Sequence, residues 1–339
     1  MQKRPSVTIF VSVKNAEWII KECVDSLIDQ SYPNKEIYII DNMSTDRTFE
    51  ILKTYGKKIK LERVAGWVPK VHNHALKKIK TDFIAYTDAD CVAEKDWIEK
   101  LMTGFTSDNI VGVAGYAGTP RSVNKLQKLI GKELESRWKK FPEFITRAPT
   151  INLCVRSETA KKVKFDEKFF WAWETDFGYR MSKLGKIRYL PGAVVYHYHR
   201  ATFKGFFKQQ LNNAKIQPFL WKKHWRKIVG DHISTSKMGL SLLIAYITVL
   251  SLLLGIFFPN LLFFSGIFFV AFMAILIIDV AKMKPSAEDA PLLLYIFIVR
   301  TAAWMIGIPI GMLYFLGIIK KVSVSGYGKG DSKKFKYSY

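Results

Sequence analysis

Cysteine is scarce in this chain. Cys23, Cys91 and Cys154 are the only three in 339 residues, and no two form a C-x-x-C pair. That spacing excludes a zinc cluster and a disulfide framework, and leaves three reduced thiols suited to a core. Acidic residues are also few, 29 against 52 basic ones, for a formal net charge of +23. From Met238 to Ile278 charge is missing altogether. At about 20 residues per bilayer crossing, such a run is long enough for two helices. The first residues, Met1-Gln-Lys-Arg-Pro5, lead into a short apolar stretch from Ser6 to Val13 with no small-residue cleavage site, so no signal peptide is expected. With 49% apolar residues the chain is too hydrophobic for a disordered or ordinary nucleic-acid tail protein. The expectation is a membrane protein with a folded head.

What is present alternates. Up to about residue 200, short β-rich apolar runs are separated by longer amphipathic segments, the pattern of βαβ units on a mostly parallel sheet. Strands are expected at Val7 to Val13, Glu36 to Ile40 and Phe83 to Thr87, and helices over Glu17 to Gln30 and Thr45 to Tyr55, the latter capped near Ser44 to Asp46. The second strand runs straight into Asp41 and the third into Asp88-Ala89-Asp90. Ligands of open α/β sheets bind outside the carboxyl ends of the strands, so these aspartates are expected to line one crevice.

From Thr202 to Lys237 the sequence mixes Phe203, Phe206, Phe207, Phe219, Trp221 and Trp225 with many Lys and Arg residues, a composition suited to a headgroup layer. Met238 to Phe258 and Leu261 to Ile278 read as a helical hairpin about Pro259-Asn260. A third apolar stretch, Leu292 to Ile319, contains Arg300 and Gly307-x-Pro309-x-Gly311, and reads as a kinked span, a re-entrant segment or a helix lying against the hairpin. Two or three spans follow. The excess of positive charge over 202–237 and at Lys282 and Lys284 puts those ends, and the head, in the cytoplasm. It also explains the net charge without a nucleic-acid partner.

Two carboxylates at i and i+2 on a turn, as in Asp88-x-Asp90, can hold a hard divalent cation whose shell a nucleotide diphosphate would complete. The plain alternative is a pair of turn and capping residues. Asp41 is placed to accept a hydrogen bond from a nucleobase or a ribose hydroxyl, while Asp46 reads as a helix cap.

Taken in order, these segments resemble glycosyltransferase family 2, the inverting enzymes with a GT-A fold. Val7 to Asn15 looks like the family's opening strand and turn, Glu36 to Asp46 like its Asp-x-x-Ser-x-Asp segment, and Asp88-Ala89-Asp90-Cys91 like its metal-binding Asp-x-Asp. Phe165 to Phe170 followed by Glu174-Thr175-Asp176-Phe177-Gly178-Tyr179-Arg180 looks like the later acidic motif, and Pro191 to His197 like the closing strand. The resemblance covers roughly residues 5–215 and implies a Rossmann-like GT-A domain over 1–201, a basic aromatic interfacial segment over 202–237, transmembrane helices over 238–319 and a basic polar tail over 320–339.

It further implies that Asp41 and Asn15 contact the donor, with Lys70 or His72 beside its phosphates. Asp88 would hold the ribose or metal, Asp90 the metal, and His197 an additional metal position; Mg2+ or Mn2+ is the implied cofactor. In the acidic motif Glu174 stands where the family usually has the catalytic Asp, with Asp176 as the second acid. Both also suit the first turn of a Phe177 to Leu184 helix, where carboxylates meet the positive dipole end. The implied reaction moves one sugar from a nucleotide-diphosphate sugar to a lipid-linked acceptor of the polyprenyl or dolichyl type at a membrane. Two other readings are a processive polysaccharide synthase, for which Gln217-Pro218-Phe219-Leu220-Trp221 carries Leu in place of an Arg, and a non-catalytic membrane scaffold.

Overall fold

The computed structural model describes residues 4–319 throughout, and the backbone alone at 322–325 and 332–335. The expected basic tail, 320–339, lies outside the described residues apart from those two short strands. The chain divides into two compact units, one of Met1–Arg121 with Trp138–Tyr198, the other of Ser122–Arg137 with His199–Ser325, with short tail segments assigned to each.

In the first unit, β1 (Val7–Val13), α1 (Ile20–Ile28), β2 (Lys35–Asp41), α2 (Thr48–Lys53), β3 (Lys60–Arg63), α3 (Val68–Lys78) and β4 (Phe83–Tyr86) make a parallel block in the order β3-β2-β1-β4. β1 and β4 are buried along nearly their whole length, which is why they read as continuous apolar runs rather than as alternating ones. Beyond β4 the sheet becomes mixed. The remaining elements are β5 (Cys91–Ala93), α4 (Trp97–Thr103), β6 (Ile110–Gly118), β7 (Phe144–Ile145), β8 (Leu153–Arg156), α6 (Ser157–Val163), α7 (Trp173–Met181) and β9 (Lys186–His197); α5 (Lys125–Trp138), between β6 and β7 in the chain, belongs to the second unit up to Arg137. β8 runs antiparallel between β4 and β6, while β9 pairs parallel with β6 and antiparallel with β5 and β7. The expected helix ends move inward: the Glu17 to Gln30 segment is helical over Ile20–Ile28, and the acidic-motif helix starts earlier, at Trp173.

In the second unit α5 is joined by α8 (Phe203–Lys215), α9 (Gln217–Lys223), α10 (Ser236–Leu254), α11 (Asn260–Lys282) and α12 (Ala290–Phe315). Among the described residues, α10, α11 and α12 are long and apolar enough to cross a membrane. α12 is helical through Pro309, so its apolar stretch is one continuous helix. Gly307 and Gly311 let α8 approach: a Cβ on Gly307 would lie 2.5 Å from the Ala214 Cβ, and one on Gly311 would lie 2.2 Å from the Lys215 carbonyl oxygen. A shared core joins Leu126, Leu129 and Ile130 of α5 to Phe206, Leu276, Leu293 and Ile296.

Candidate active site

Strand order brings the acidic residues together. β2, β1 and β4 are parallel neighbours, so Asp41 at the end of β2, Asn15 just past β1 and Asp88 just past β4 leave the sheet at one carboxyl edge. The short strand β5 turns back after Asp90 and pairs Cys91 with His197. That register places the imidazole Nε2 of His197 3.5 Å from Asp90 Oδ1, while the Tyr198 amide donates to the Asp90 carbonyl at 3.0 Å. Asp88, Asp90 and His197 each offer one ligand atom, and all of these lie within 4.8 Å of one another. Two carboxylate oxygens and one imidazole nitrogen, all on half-buried side chains, are a donor set that fits Mn2+ well and Mg2+ through the carboxylates.

Asp41 is fully buried. Its carboxylate accepts from Arg63 Nε at 2.9 Å and from the Ser44 amide at 3.2 and 3.3 Å, and Arg63 Nη2 also donates to the Ser44 carbonyl at 2.6 Å. Arg63 is a residue that motif reading passed over; the signal for it is the β2–β3 register, which pairs Asp41 with Arg63 directly. Asn15 ties two loops: its Oδ1 accepts from the Thr45 amide at 2.8 Å and its own amide donates to Ser44 Oγ at 2.9 Å, with φ at 52°. Asp46 lies one residue before the N-cap of α2, Arg47, and accepts from the first helical amide, that of Thr48, at 3.0 Å.

Two expectations change. His72 lies in an aromatic core, within 5.8 Å of the ring centroids of Phe10, Tyr86, Phe165 and Trp173. Burial pushes its pKa down to about 3, so the neutral ring donates from Nδ1 to the Val68 carbonyl and cannot act as a cation on a diphosphate. Lys70, exposed on the first turn of α3, is the cation of that pair which solvent reaches. Asp176 is fully buried and bound by Arg180 through Nε and Nη2, both at 2.8 Å, and Arg180 also donates to the carbonyls of Val163 and Lys164. It therefore pins α7 to the end of α6 rather than meeting substrate. Asn15 is half-exposed, with its side-chain oxygen engaged by the Thr45 amide.

Glu174 is different. It sits in the first turn of α7, after Ala172 in the left-handed conformation at φ 51°, and among the described residues only its Oε2 is bound, by the Thr150 amide at 3.1 Å and hydroxyl at 3.3 Å. Burial raises its pKa above the ordinary carboxylate range, outweighing the Thr150 hydrogen bonds and the nearby Arg147 charge. Thr150 and Arg147 are thus two further residues that local motif reading does not show.

Residues 8–170 match the family described as glycosyl transferase family 2. Among similar proteins is a probable glycosyltransferase, YdaM, of Bacillus subtilis, 22% identical over 293 residues, spanning 79% of this chain and 68% of that one. Another is the dolichyl N-acetyl-alpha-D-glucosaminyl phosphate 3-beta-D-2,3-diacetamido-2,3-dideoxy-beta-D-glucuronosyltransferase of Methanococcus voltae, 22% identical over 66% of this chain and 76% of that one. A similar solved structure is the mannosyltransferase PcManGT of Pyrobaculum calidifontis in complex with GDP-Man and Mn2+, with a TM-score of 0.56, 15% identity and coverage of 93% and 88%. The fold is accordingly that of the GT-A glycosyltransferases, and the class of enzyme is a glycosyltransferase. Within that class, the match is to glycosyl transferase family 2, over residues 8–170.

Proposed function

We propose that the chain is a membrane-bound transferase that moves one sugar from a nucleotide-diphosphate donor to a hydroxyl of a lipid-linked acceptor, with inversion at the anomeric carbon. The observation that carries this reading is the pairing of the Asp88, Asp90 and His197 group with a raised-pKa Glu174 in a chain that also holds three long apolar helices. The mannosyltransferase neighbour, solved with GDP-Man and Mn2+, and the dolichyl-linked relative support the donor, metal and acceptor classes.

Asp88, Asp90 and His197 would hold the cation, whose chemistry is neutralisation of the negative charge that develops on the departing diphosphate. Fully buried Asp41 holds Arg63, whose partly exposed guanidinium is the member of the pair that a nucleotide could reach. Lys70 is placed to add a positive charge at the phosphates. Glu174 accepts the proton of the attacking hydroxyl: its free Oε1 is available while Thr150 holds Oε2 in place. Such general-base help is typically worth about 10²- to 10⁴-fold. A water-soluble donor and a bilayer-bound acceptor meet where the head lies at the inner leaflet. Clustered Lys and Arg over 202–237 favour that side. We place the protein as a multi-pass protein of the cell membrane on this ground.

The test is Glu174→Gln in the full chain, assayed with lipid-linked glycan and with polyprenyl phosphate. A hydroxyl acceptor requires the base, so turnover falls by about 10²-fold or more. A phosphate acceptor is already ionised, and turnover that survives the substitution overturns the hydroxyl reading.

A further inference from the structure

On the first unit, away from the acidic edge, strands β6 and β9 and the segment after α5 enclose a groove of about 560 Å³, within the size range of small-ligand sites. Its walls are aromatic. Trp138 and Phe141 lie 4.9 Å apart by ring centroids, and Phe141 meets Tyr189 at 5.2 Å with Tyr116 nearby along the lining. The rim carries an ion pair, Arg188 Nη2 to Glu143 Oε1 at 3.0 Å, both residues lining the same groove. Tyr189 is 7% exposed, and its hydroxyl is buried with no hydrogen-bond partner among the described residues.

We infer that this groove binds a sugar ring already present on the acceptor. The inference rests on the glycosyltransferase reading and deepens it: the acceptor is a glycan rather than a bare lipid phosphate. A pyranose has an apolar C–H face and a ring of hydroxyls. The first suits the faces of aromatic side chains; the second suits a guanidinium and a carboxylate held side by side, a donor fork next to an acceptor pair. A lipid tail would leave the Arg188–Glu143 pair desolvated without partners, at a cost. The cations of the lining, Arg188 and Lys139, would also attract a phosphate, so the discrimination rests on the aromatic walls, which offer an anion nothing, and on the polyprenyl phosphate arm of the experiment.

Geometry ties the groove to the site of transfer. Register between β6 and β9 skips from Gly115–Leu190 to Tyr116–Val194, so residues 191–193 bulge out at the groove. The bulge is pinned by Asn152, whose Nδ2 donates to the carbonyls of Tyr116 and Ala193, both at 2.9 Å. Asn152 belongs to the same three-residue turn as Thr150, which holds Glu174. From Val194 to His197 is three residues of strand, about 10 Å. The groove is thereby joined along β9 to His197 and through the Thr150–Asn152 turn to the group that holds Glu174.

The experiment is saturation-transfer NMR of the full chain in detergent with a panel of soluble oligosaccharides and no donor present. Phe141→Ala and, as a size-conserving rim variant, Glu143→Gln are compared with the unaltered chain. Donor hydrolysis by water is measured in parallel, because neither residue belongs to the acidic edge. Saturable oligosaccharide binding that either variant weakens roughly five- to tenfold, with hydrolysis unchanged, is the expected result. Binding that both variants leave unaltered, or no binding to any sugar while polyprenyl phosphate is bound, overturns it. Failure of the glycosyltransferase reading would show instead as absent donor hydrolysis, which the binding measurement does not depend on.

Discussion

At Glu174 and His72, the same force, removal from water, has opposite consequences. Burial favours the neutral form of each, which raises the pKa of a carboxylic acid and lowers that of an imidazole. For Glu174 the folded pKa lies above the unfolded one, so the stability tied to this proton is fully present at low pH and is lost as pH rises through the folded value. Glu174→Gln fixes the neutral state. The variant that loses transfer is therefore expected to melt at a higher temperature than the parent at pH 8, with the gap closing towards pH 4; a thermal scan across that range checks it. In the parent enzyme the acid limb of the rate profile lies above the usual carboxylate range for the same reason, since the base must be ionised to work. His72 and Lys70 separate in a second measurement. Lys70→Ala removes the exposed cation proposed to meet the phosphates and is expected to raise the donor KM roughly ten- to a hundredfold, as for a charge-assisted hydrogen bond. His72→Phe keeps the aromatic packing and leaves the donor KM within about twofold. Steady-state kinetics with varied donor decides, and the reverse ranking would return His72 to the donor site.

At the scale of elements, Arg300 in the middle of α12 is the informative case. A cation in an apolar helix is costly unless paired. Its Nη1 meets Glu133 Oε1 of α5 at 2.7 Å, and Arg137 holds the other carboxylate oxygen at 2.8 Å. Burial alone would push the Glu133 carboxyl up, but the charges of Arg137 and Arg300 outweigh it and hold the pKa low. A depressed carboxylate stabilises the fold above its unfolded pKa and loses that contribution as pH falls through the folded value. Glu133→Leu strands two largely shielded cations and is expected to cost about 3–5 kcal/mol, whereas the double variant with Arg300→Met recovers much of the loss. Thermal unfolding in detergent micelles would register the difference. Equal destabilisation by the single and double variants would mean that the pair carries no coupling.

For the molecule as a whole, the second unit is built from two distant parts of the chain, since Ser122–Arg137 belongs with the residues after His199. Leu126, Leu129 and Ile130 of α5 share a core with Phe206 and with Leu276, Leu293 and Ile296 of the apolar helices. Deleting 238–319 would uncover this face. The shortened chain is expected to keep nucleotide-sugar binding, which depends on the acidic edge, but to aggregate without detergent; changing Leu126, Leu129 and Phe206 to polar residues restores a monodisperse peak on size exclusion. Persistent aggregation of the polar variant would mean that the first unit also needs the apolar helices to stay folded.

The segments that local pattern decides were legible without coordinates. Strands β1, β2 and β4, Asp46 at the start of α2, the apolar helices and the Asp88–Asp90 turn follow from periodicity, capping chemistry and the lack of charge, all of which act within a few residues. The ends of α1 and α7, the antiparallel insertion of β8, and the partners of the site residues were not. Arg63 meets Asp41, His197 meets Asp90, Thr150 meets Glu174 and Glu133 meets Arg300 only through strand register or helix packing across long stretches of chain. Composition shows that His72 and Asp176 can carry charge; whether they face water or a core depends on what folds over them. Sequence therefore determined which groups are available and which helices are long and apolar enough to cross a membrane. Tertiary structure decided which carboxylates remain open to a substrate, because solvation, and with it protonation and reach, is set by neighbours far away in the chain.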